Sequence, residues 1–129
     1  MKKPLPPPSE AELSVLEALW EDAPQTIRTL VERLYPGGGT AQYATVQKLL
    51  ERLEAKGHVR RLRSSVPHRF KPKTQRESLI GHRLREVADS LCGGSMAPLL
   101  TQLIEQGSYA PEDVDELRSL LQRLEEEGA

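Results

Sequence analysis

The sequence is poor in the residues that form cross-links and large aromatic cores. Cys92 is the single cysteine among 129 residues, so no disulfide can form within the chain, which fits a reducing compartment. Aromatic residues make up 4% and apolar residues 37%, so one copy has a modest core that pairing with a second copy would enlarge. No apolar run has the length of a signal-peptide core or a membrane span, so we expect a cytoplasmic protein that is not inserted in a membrane.

Patterns of catalytic and metal-binding residues are missing as well. His58, His68, His82 and Cys92 do not fall at the spacings of zinc ligands, so we predict no metal and no cofactor. The glycines at 37–39 are not followed by the Lys-Ser or Lys-Thr of a phosphate-binding loop, and no Ser-His-Asp or Cys-His pattern is present. We therefore predict that the protein is not an enzyme. Cys92 is interpreted as a packing residue, with oxidant sensing as the alternative.

Residues 40–73 instead combine a long helix pattern with a basic hairpin pattern. Thr40 can cap a helix, an apolar stripe follows it at helical spacing, and Gly57 ends the pattern. The stripe consists of Val46, Leu49, Leu50 and Leu53. Two strand-like runs, 58–63 and 66–71, come next. A helix followed by a basic hairpin is the outline of a winged helix.

Two shorter helices are predicted before this stretch. Ser9 with Glu12 makes a capping-box pattern at the start of the first, and Thr26 begins the second. Residues 35–39 then interrupt the helical pattern. This order is a helix-turn-helix arrangement, in which the third helix enters a groove of DNA. The proline-rich residues 1–8 are expected to form an extended, loosely held arm.

Positive charge is concentrated in the predicted third helix and hairpin. Residues 43–73 hold nine basic and two acidic side chains, although the whole chain holds 18 and 19. Such a local patch is expected where a protein contacts phosphates, and a merely solvated surface is the alternative. We hypothesise that double-stranded DNA is the partner, with Gln42, Thr45 and Lys48 reading base edges. The predicted phosphate contacts are Arg52, Lys56, Arg60, Arg61, Arg63 and Arg69. For His58 and His68, in the hairpin, phosphate contact or simple exposure is expected.

A change of composition marks a second predicted domain. Residues 1–72 carry 12 basic and 8 acidic side chains, whereas residues 73–129 carry 6 and 11. We place a winged-helix DNA-binding domain at 1–73 and a helical dimerisation domain at 74–129. Three helices are predicted in the second domain. They begin at Thr74, with Glu77 completing a capping box, at Ser95 and at Pro111.

The last predicted helix repeats apolar residues at a coiled-coil-like spacing. Only the neighbouring helices offer it a partner within one chain, so we predict a symmetric homodimer, and a monomeric helical hairpin folded onto the winged helix is the alternative. The predicted interface comprises Leu84, Val87, Leu91, Leu99, Leu103, Val114, Leu117, Leu121 and Leu124. The expected fold class is mainly α: a winged helix-turn-helix of three helices plus a β-hairpin wing, followed by a three-helix dimerisation region.

Several runs of the sequence together resemble the penicillinase-repressor family (the BlaI/MecI group). They are ELSVLEALWE at 12–21, TIR at 26–28, YATVQKLLERLEAKG at 43–57, FKP at 70–72 and GS at 94–95. The resemblance implies a dimeric winged-helix repressor that binds a palindromic operator. It also implies release from the operator when a membrane sensor protease triggers cleavage in the C-terminal part.

The resemblance places the recognition helix at 42–56, with Tyr43, Thr45 and Lys48 on the part that meets the bases. The sequence departs from the family pattern at Ala44, where a second threonine is common, and this removes one hydroxyl from the reading face.

Two further departures concern the wing and the cleavage region. Ser65-Val66 stands where the wing tip is usually Gly-Arg, so Arg63 or Arg69 is expected to replace that arginine. The bond cut in the family is Asn-Phe, and the matching position is Gln102-Leu103, which we take as the candidate cleavage region.

Two alternatives to this regulatory scheme stay open. A small-molecule effector held between the helices of 74–110 would replace proteolysis, or the winged helix would serve as a protein-interaction adaptor without a DNA target. The basic patch favours DNA over the adaptor. Copper-responsive relatives carry a cysteine-rich tail, whereas residues 125–129 are three glutamates, a glycine and an alanine, so no direct copper sensing is expected.

Overall fold

The computed structural model describes residues 5–107 and 109–128. Its elements are α1 (Glu10–Glu21), β1 (Gln25–Thr26), α2 (Ile27–Leu34), α3 (Thr40–Lys56), β2 (Val59–Leu62), β3 (Arg69–Pro72), α4 (Arg76–Leu91), α5 (Ala97–Glu105) and α6 (Pro111–Gly128). The predicted fold class, a mainly helical winged helix with a β wing, is confirmed.

The chain divides into two compact units between Ile80 and Gly81, inside α4. We call them the N-terminal unit and the C-terminal unit. The boundary predicted from charge, between residues 73 and 74, lies just before α4 begins. Within residues 5–107 and 109–128, no helix is both long enough and apolar enough to cross a membrane.

Side-chain caps explain why α1 and α2 begin where the sequence predicts. Ser9 Oγ accepts a hydrogen bond from the backbone N–H of Glu12 at 3.2 Å, and the Glu12 carboxylate accepts one from Ser9 N–H at 3.4 Å. Thr26 and Thr29 exchange the same pair of bonds at 3.1 and 3.2 Å. These bonds pair backbone N–H groups that the first turn of a helix leaves without partners.

Two other predicted caps are wrong. The N-cap of α3 is Gly39, and Thr40 is already the first helical residue. The N-cap of α5 is Met96 rather than Ser95, and its side chain makes no capping bond. A hydroxyl residue near a helix start therefore indicates the approximate start in this chain, but the first helical residue depends on the loop before it.

The core of the N-terminal unit lies between its first three helices and the sheet. It consists of Val15, Leu16, Ala18, Leu19, Leu30, Val31, Val46, Leu49, Leu50, Leu53, Val59 and Phe70. The whole predicted stripe of α3 belongs to it. α1 contributes Val15, Leu16, Ala18 and Leu19 and leaves Leu13 half-exposed. Phe70, the single phenylalanine, is 1% exposed and anchors β3 to this core.

The wing is part of a three-stranded antiparallel sheet of order β1-β3-β2. β2 and β3 pair from Val59 opposite Pro72 to Leu62 opposite Arg69. β1 pairs with the other edge of β3 and was not predicted, because two residues carry no alternating pattern. The β2–β3 turn spans residues 63–68, and Val66 in this turn is 95% exposed.

Candidate nucleic-acid interface

α3 presents a row of polar side chains away from its buried stripe. Thr45, Lys48 and Arg52 are exposed and follow one another at spacings of three and four residues, which places them on one side of a helix. Tyr43, near the start of the helix, is 42% exposed. Gln42 is half-buried and lies at the edge of this row. The structure therefore places Thr45 and Lys48 on one exposed side of α3, whereas Tyr43, two residues before Thr45, lies on roughly the opposite side of the helix.

Two of these side chains already make hydrogen bonds within the protein. Gln42 Oε1 accepts from Gly39 N–H at 2.9 Å, and Thr45 Oγ1 donates to the Ala41 carbonyl at 3.0 Å. Gly39 has no side chain that could accept a hydrogen bond from the backbone N–H of Gln42, so the bond to Gln42 Oε1 is the one side-chain bond of this cap. The sequence pattern did not reveal these bonds, although glutamine at the third helical position is a capping-box residue.

Lys56 lies at the end of α3, and its half-buried side chain contacts α1. Its Nζ is 2.5 and 3.0 Å from the two Glu12 carboxylate oxygens and donates to the Pro7 carbonyl at 3.1 Å. The Glu12 side chain is 2% exposed. Burial raises the pKa of this carboxyl, but hydrogen bonds from Lys56 and Ser9, together with the Lys56 charge, outweigh burial and hold the pKa below its ordinary value. The Lys56 ammonium group is therefore already bound within the N-terminal unit, unlike that of a lysine available to a phosphate.

Arg61 on β2 is also held by neighbours. Its Nε and Nη2 atoms each lie 3.3 Å from a carboxylate oxygen of Glu54, and its guanidinium carbon lies 5.0 Å from the centre of the Phe70 ring. These contacts connect α3 to the sheet. Arg61 therefore stabilises the packing of the sheet against α3, next to the predicted interface, and its guanidinium group is already paired with Glu54.

The other cations of residues 43–73 are exposed, and their side chains form no hydrogen bond or ion pair within the part of the chain that the structure describes. They are Lys48, Arg52, Arg60, Arg63, Arg69, Lys71 and Lys73. Arg60 and Lys71 lie directly opposite each other in the β2–β3 ladder. Like charges at such positions destabilise a sheet, so this face of the wing is built at a cost to stability.

His58 lies inside the N-terminal unit and not on the wing surface. It is 2% exposed, with Nε2 2.6 Å from the Pro6 carbonyl oxygen and Nδ1 2.7 Å from Thr74 Oγ1. The carbonyl can only accept, so Nε2 carries a hydrogen. The expected exposure or phosphate contact of His58 is wrong, and so is the predicted cap at Thr74, because its hydroxyl pairs with this ring. His68 is half-exposed in the wing turn, where phosphate contact stays a prediction.

The same contacts correct the expectation of a loose arm for residues 5–8; residues 1–4 lie outside the described part. Pro6 and Pro7 accept hydrogen bonds from His58 and Lys56, and Pro8 is buried. A Cβ placed on Gly57 would lie 3.3 Å from Leu5, which shows how closely the segment approaches the end of α3. We call residues 5–8 the strap.

The C-terminal unit leaves most of its apolar side chains uncovered. Neither α5 nor α6 has a buried residue, and Ala88 of α4 is the single buried residue among positions 81–107 and 109–128. Of the predicted interface residues, Leu84, Leu99 and Val114 are half-buried. The others are exposed: Val87, Leu91, Leu103, Leu117, Leu121 and Leu124. α5 and α6 border an open, mainly apolar groove of about 590 Å³.

The candidate cleavage region and the cysteine also belong to this unit. Gln102 and Leu103 lie within α5 and are exposed, Leu103 by 64%. Cys92 is half-buried just beyond α4. No three His, Cys, Asp or Glu side chains at described positions are grouped so that they could hold a metal ion.

Three helices, an antiparallel wing and an exposed polar face on the third helix define a winged helix-turn-helix protein, a class widely used by transcriptional regulators. Residues 8–123 match the model of the penicillinase repressor family, and the chain belongs to that family. It is similar to the transcriptional regulator BlaI from two strains of Mycobacterium tuberculosis, CDC 1551 and H37Rv. Each relative is 31% identical over 118 residues, which cover 90% of this chain and 83% of the relative. The protein is a transcriptional regulator rather than an enzyme, and the predicted resemblance is confirmed.

Proposed function

We propose that the protein is a cytoplasmic, sequence-specific DNA-binding repressor that acts as a homodimer on an inverted-repeat operator. The observation that carries the proposal is the exposed pair of Arg60 and Lys71, opposite each other on the wing and without an anionic partner among the described residues. A phosphate of the DNA backbone near both would relieve their repulsion. This accounts for a sheet that keeps an unfavourable pair in the unbound protein.

In this proposal the first half of α3 enters the major groove, with Thr45 and Lys48 toward the base edges and Tyr43 on the other side of the helix, near its start. Arg52, exposed further along the same row, lies toward a backbone phosphate. Wing cations hold the flanking phosphates, with the half-exposed His68 beside them. The proposed wing contacts are Arg60, Arg63, Arg69 and Lys71. Phosphate contacts of this kind set affinity and register, whereas the contacts of α3 set the sequence preference.

The uncovered apolar side chains of the C-terminal unit support the homodimer. Leu103, Leu121 and Leu124 are each more than half exposed in the single chain, and a second copy would remove them from water. Two recognition helices would then lie about 34 Å apart, or a multiple of that distance, over an inverted repeat. An association of this kind makes binding depend on protein concentration.

Release by proteolysis at Gln102-Leu103, triggered by a membrane sensor protease, is part of the same proposal. A protease needs its target in an extended form, so α5 must open locally before this bond can be cut. Because α5 buries no residue in the single chain, such opening breaks few apolar contacts there. Cleavage within this helix would remove α6 from the unit and weaken the dimer.

The experiment that tests the proposal is titration of a fluorescent fragment from upstream of the gene with excess random DNA, at several salt concentrations. Tight binding that survives the competitor is expected. The plot of log K against log salt has a negative slope, and Arg52→Gln should make this slope less steep by about one unit, because one phosphate contact is lost. Arg123→Gln, the same change at an exposed site on α6, is the matched control and should leave the slope unchanged. Binding that random DNA abolishes would refute sequence-specific recognition.

A further inference from the structure

The side chain of Gln42 is fixed by its hydrogen bond and by close packing. Its bond from Gly39 N–H sets the amide orientation, because only the amide oxygen can accept from a backbone N–H. A Cβ at Gly38 would lie 3.0 Å from both Cβ and Cγ of Gln42 and 2.8 Å from the Tyr35 carbonyl oxygen. The loop therefore has glycine where the Gln42 side chain folds back over it.

This arrangement leaves the amide nitrogen as the polar group of Gln42 that is not used within the protein. Nε2 makes no hydrogen bond within the described residues. It is not fully buried, because no fully buried side-chain nitrogen or oxygen among them lacks a partner. Bidentate pairing with adenine needs the amide oxygen and nitrogen to face the base edge together. Here the oxygen is held toward Gly39 N–H, whereas the nitrogen has no hydrogen bond among the described residues, so its two N–H groups are the donors that the side chain has free.

We propose that Gln42 is a specificity-determining residue that reads one base of each half-site as a hydrogen-bond donor only. This inference rests on the proposed function and specifies the base class. Guanine fits best because its N7 and O6 place two acceptors side by side, and thymine offers O4. Adenine has one acceptor, N7, beside an amino group, and cytosine presents an amino group alone, so each places a donor against the N–H groups of Gln42.

The competing explanation is that Gln42 only caps α3 and makes no base contact. Gln42→Glu separates the two, because a carboxylate oxygen can still accept from Gly39 N–H while the outward-facing atom becomes an acceptor. A glutamate at this position also suits the start of a helix, so the variant should unfold at a temperature no lower than that of the original protein. Gln47→Glu adds the same charge to α3 at an exposed side chain that has no hydrogen bond within the described chain, and serves as the matched control.

The test is selection of bound sequences from a randomised operator library by the full-length protein and both variants, followed by sequencing. We expect the original protein to prefer guanine or thymine at one symmetric position. Gln42→Glu should change the ratio of these bases to cytosine and adenine there by at least about tenfold. Gln47→Glu should weaken binding without changing that ratio.

Each other outcome overturns the inference in a distinguishable way. An unchanged preference profile in Gln42→Glu, with specific binding intact, would show that Gln42 is a cap alone. A preference for adenine that this substitution abolishes would show that the amide oxygen leaves Gly39 and reads the base. If the original protein selects no preferred sequence from the library, the proposed function and this inference are both refuted.

Discussion

Replacing Lys56 with methionine removes the ammonium group that faces Glu12 while keeping most of the side-chain volume. The carboxylate, 2% exposed, would be left with Ser9 as its hydrogen-bonding partner. Breaking a fully buried ion pair costs about 3 to 5 kcal/mol, and the 28% exposure of the Lys56 side chain lets water replace part of the interaction. We therefore expect the N-terminal unit to lose about 2 kcal/mol of its free energy of unfolding.

Fluorescence of Trp20 during urea unfolding measures this loss. Trp20 is the single tryptophan, and its Nε1 donates to the Thr74 carbonyl at 2.8 Å, so its emission reports on the N-terminal unit. A loss of 2 kcal/mol should lower the urea midpoint by about 1 to 2 M for a unit of this size. Lys48→Met is the control, because Lys48 lies on the same helix but its side chain is exposed and has no hydrogen bond or ion pair among the described residues. An unchanged midpoint in Lys56→Met would refute the reasoning.

The lowered pKa of Glu12 adds a dependence on pH to this prediction. Because the pKa in the folded protein lies below the ordinary 4.5, the stabilisation is present in full above about that pH and is lost as pH falls through the lowered pKa. Glu12→Gln should be less stable than the original protein at neutral pH, and the difference should shrink in acid. A difference that is independent of pH would contradict the assignment.

Two further substitutions test other parts of the structure. Gly57 has φ +90°, so Gly57→Ala should lower the free energy of unfolding by about 1 to 2 kcal/mol, as measured by the same urea titration. The added Cβ would lie 3.3 Å from Leu5, so the backbone has little room to move away from this strained conformation. An unchanged midpoint would mean that the turn rearranges freely. Leu121→Glu should shift the protein toward monomers in analytical ultracentrifugation and weaken operator binding, because it puts a charge on the proposed dimer surface. An unaltered sedimentation profile would exclude this face from the interface.

The elements that repeat a pattern over several residues were predictable from the sequence. The buried stripe of α3 follows from helical spacing, and the start of α1 from Ser9 and Glu12, because both signals depend on neighbours within one or two turns. The two wing strands were placed correctly to within a few residues, since Phe70 and the cations around it alternate between the core and solvent.

What the sequence did not reveal depends on residues that are distant along the chain. Lys56 reads as one more cation of a basic helix, yet its partner Glu12 lies 44 positions away. His58 reads as part of an exposed hairpin, but contacts from Pro6 and Thr74 bury it. Charge counts treat all cations alike, whereas only tertiary contacts separate those that stabilise the fold from those available to a ligand.

The strap makes the start of the family match a poor guide to where the folded unit begins. The match starts at residue 8, whereas Leu5, Pro6 and Pro7 contact the junction of α3 and β2. A shortened protein that began at residue 8 would leave the buried Nε2–H of His58 without its acceptor, at a cost of about 1 to 3 kcal/mol. It would also free the end of the helix that is proposed to enter the groove. Loss of DNA binding in such a shortened protein would therefore reflect a loosened helix, even with every proposed contact residue still in place.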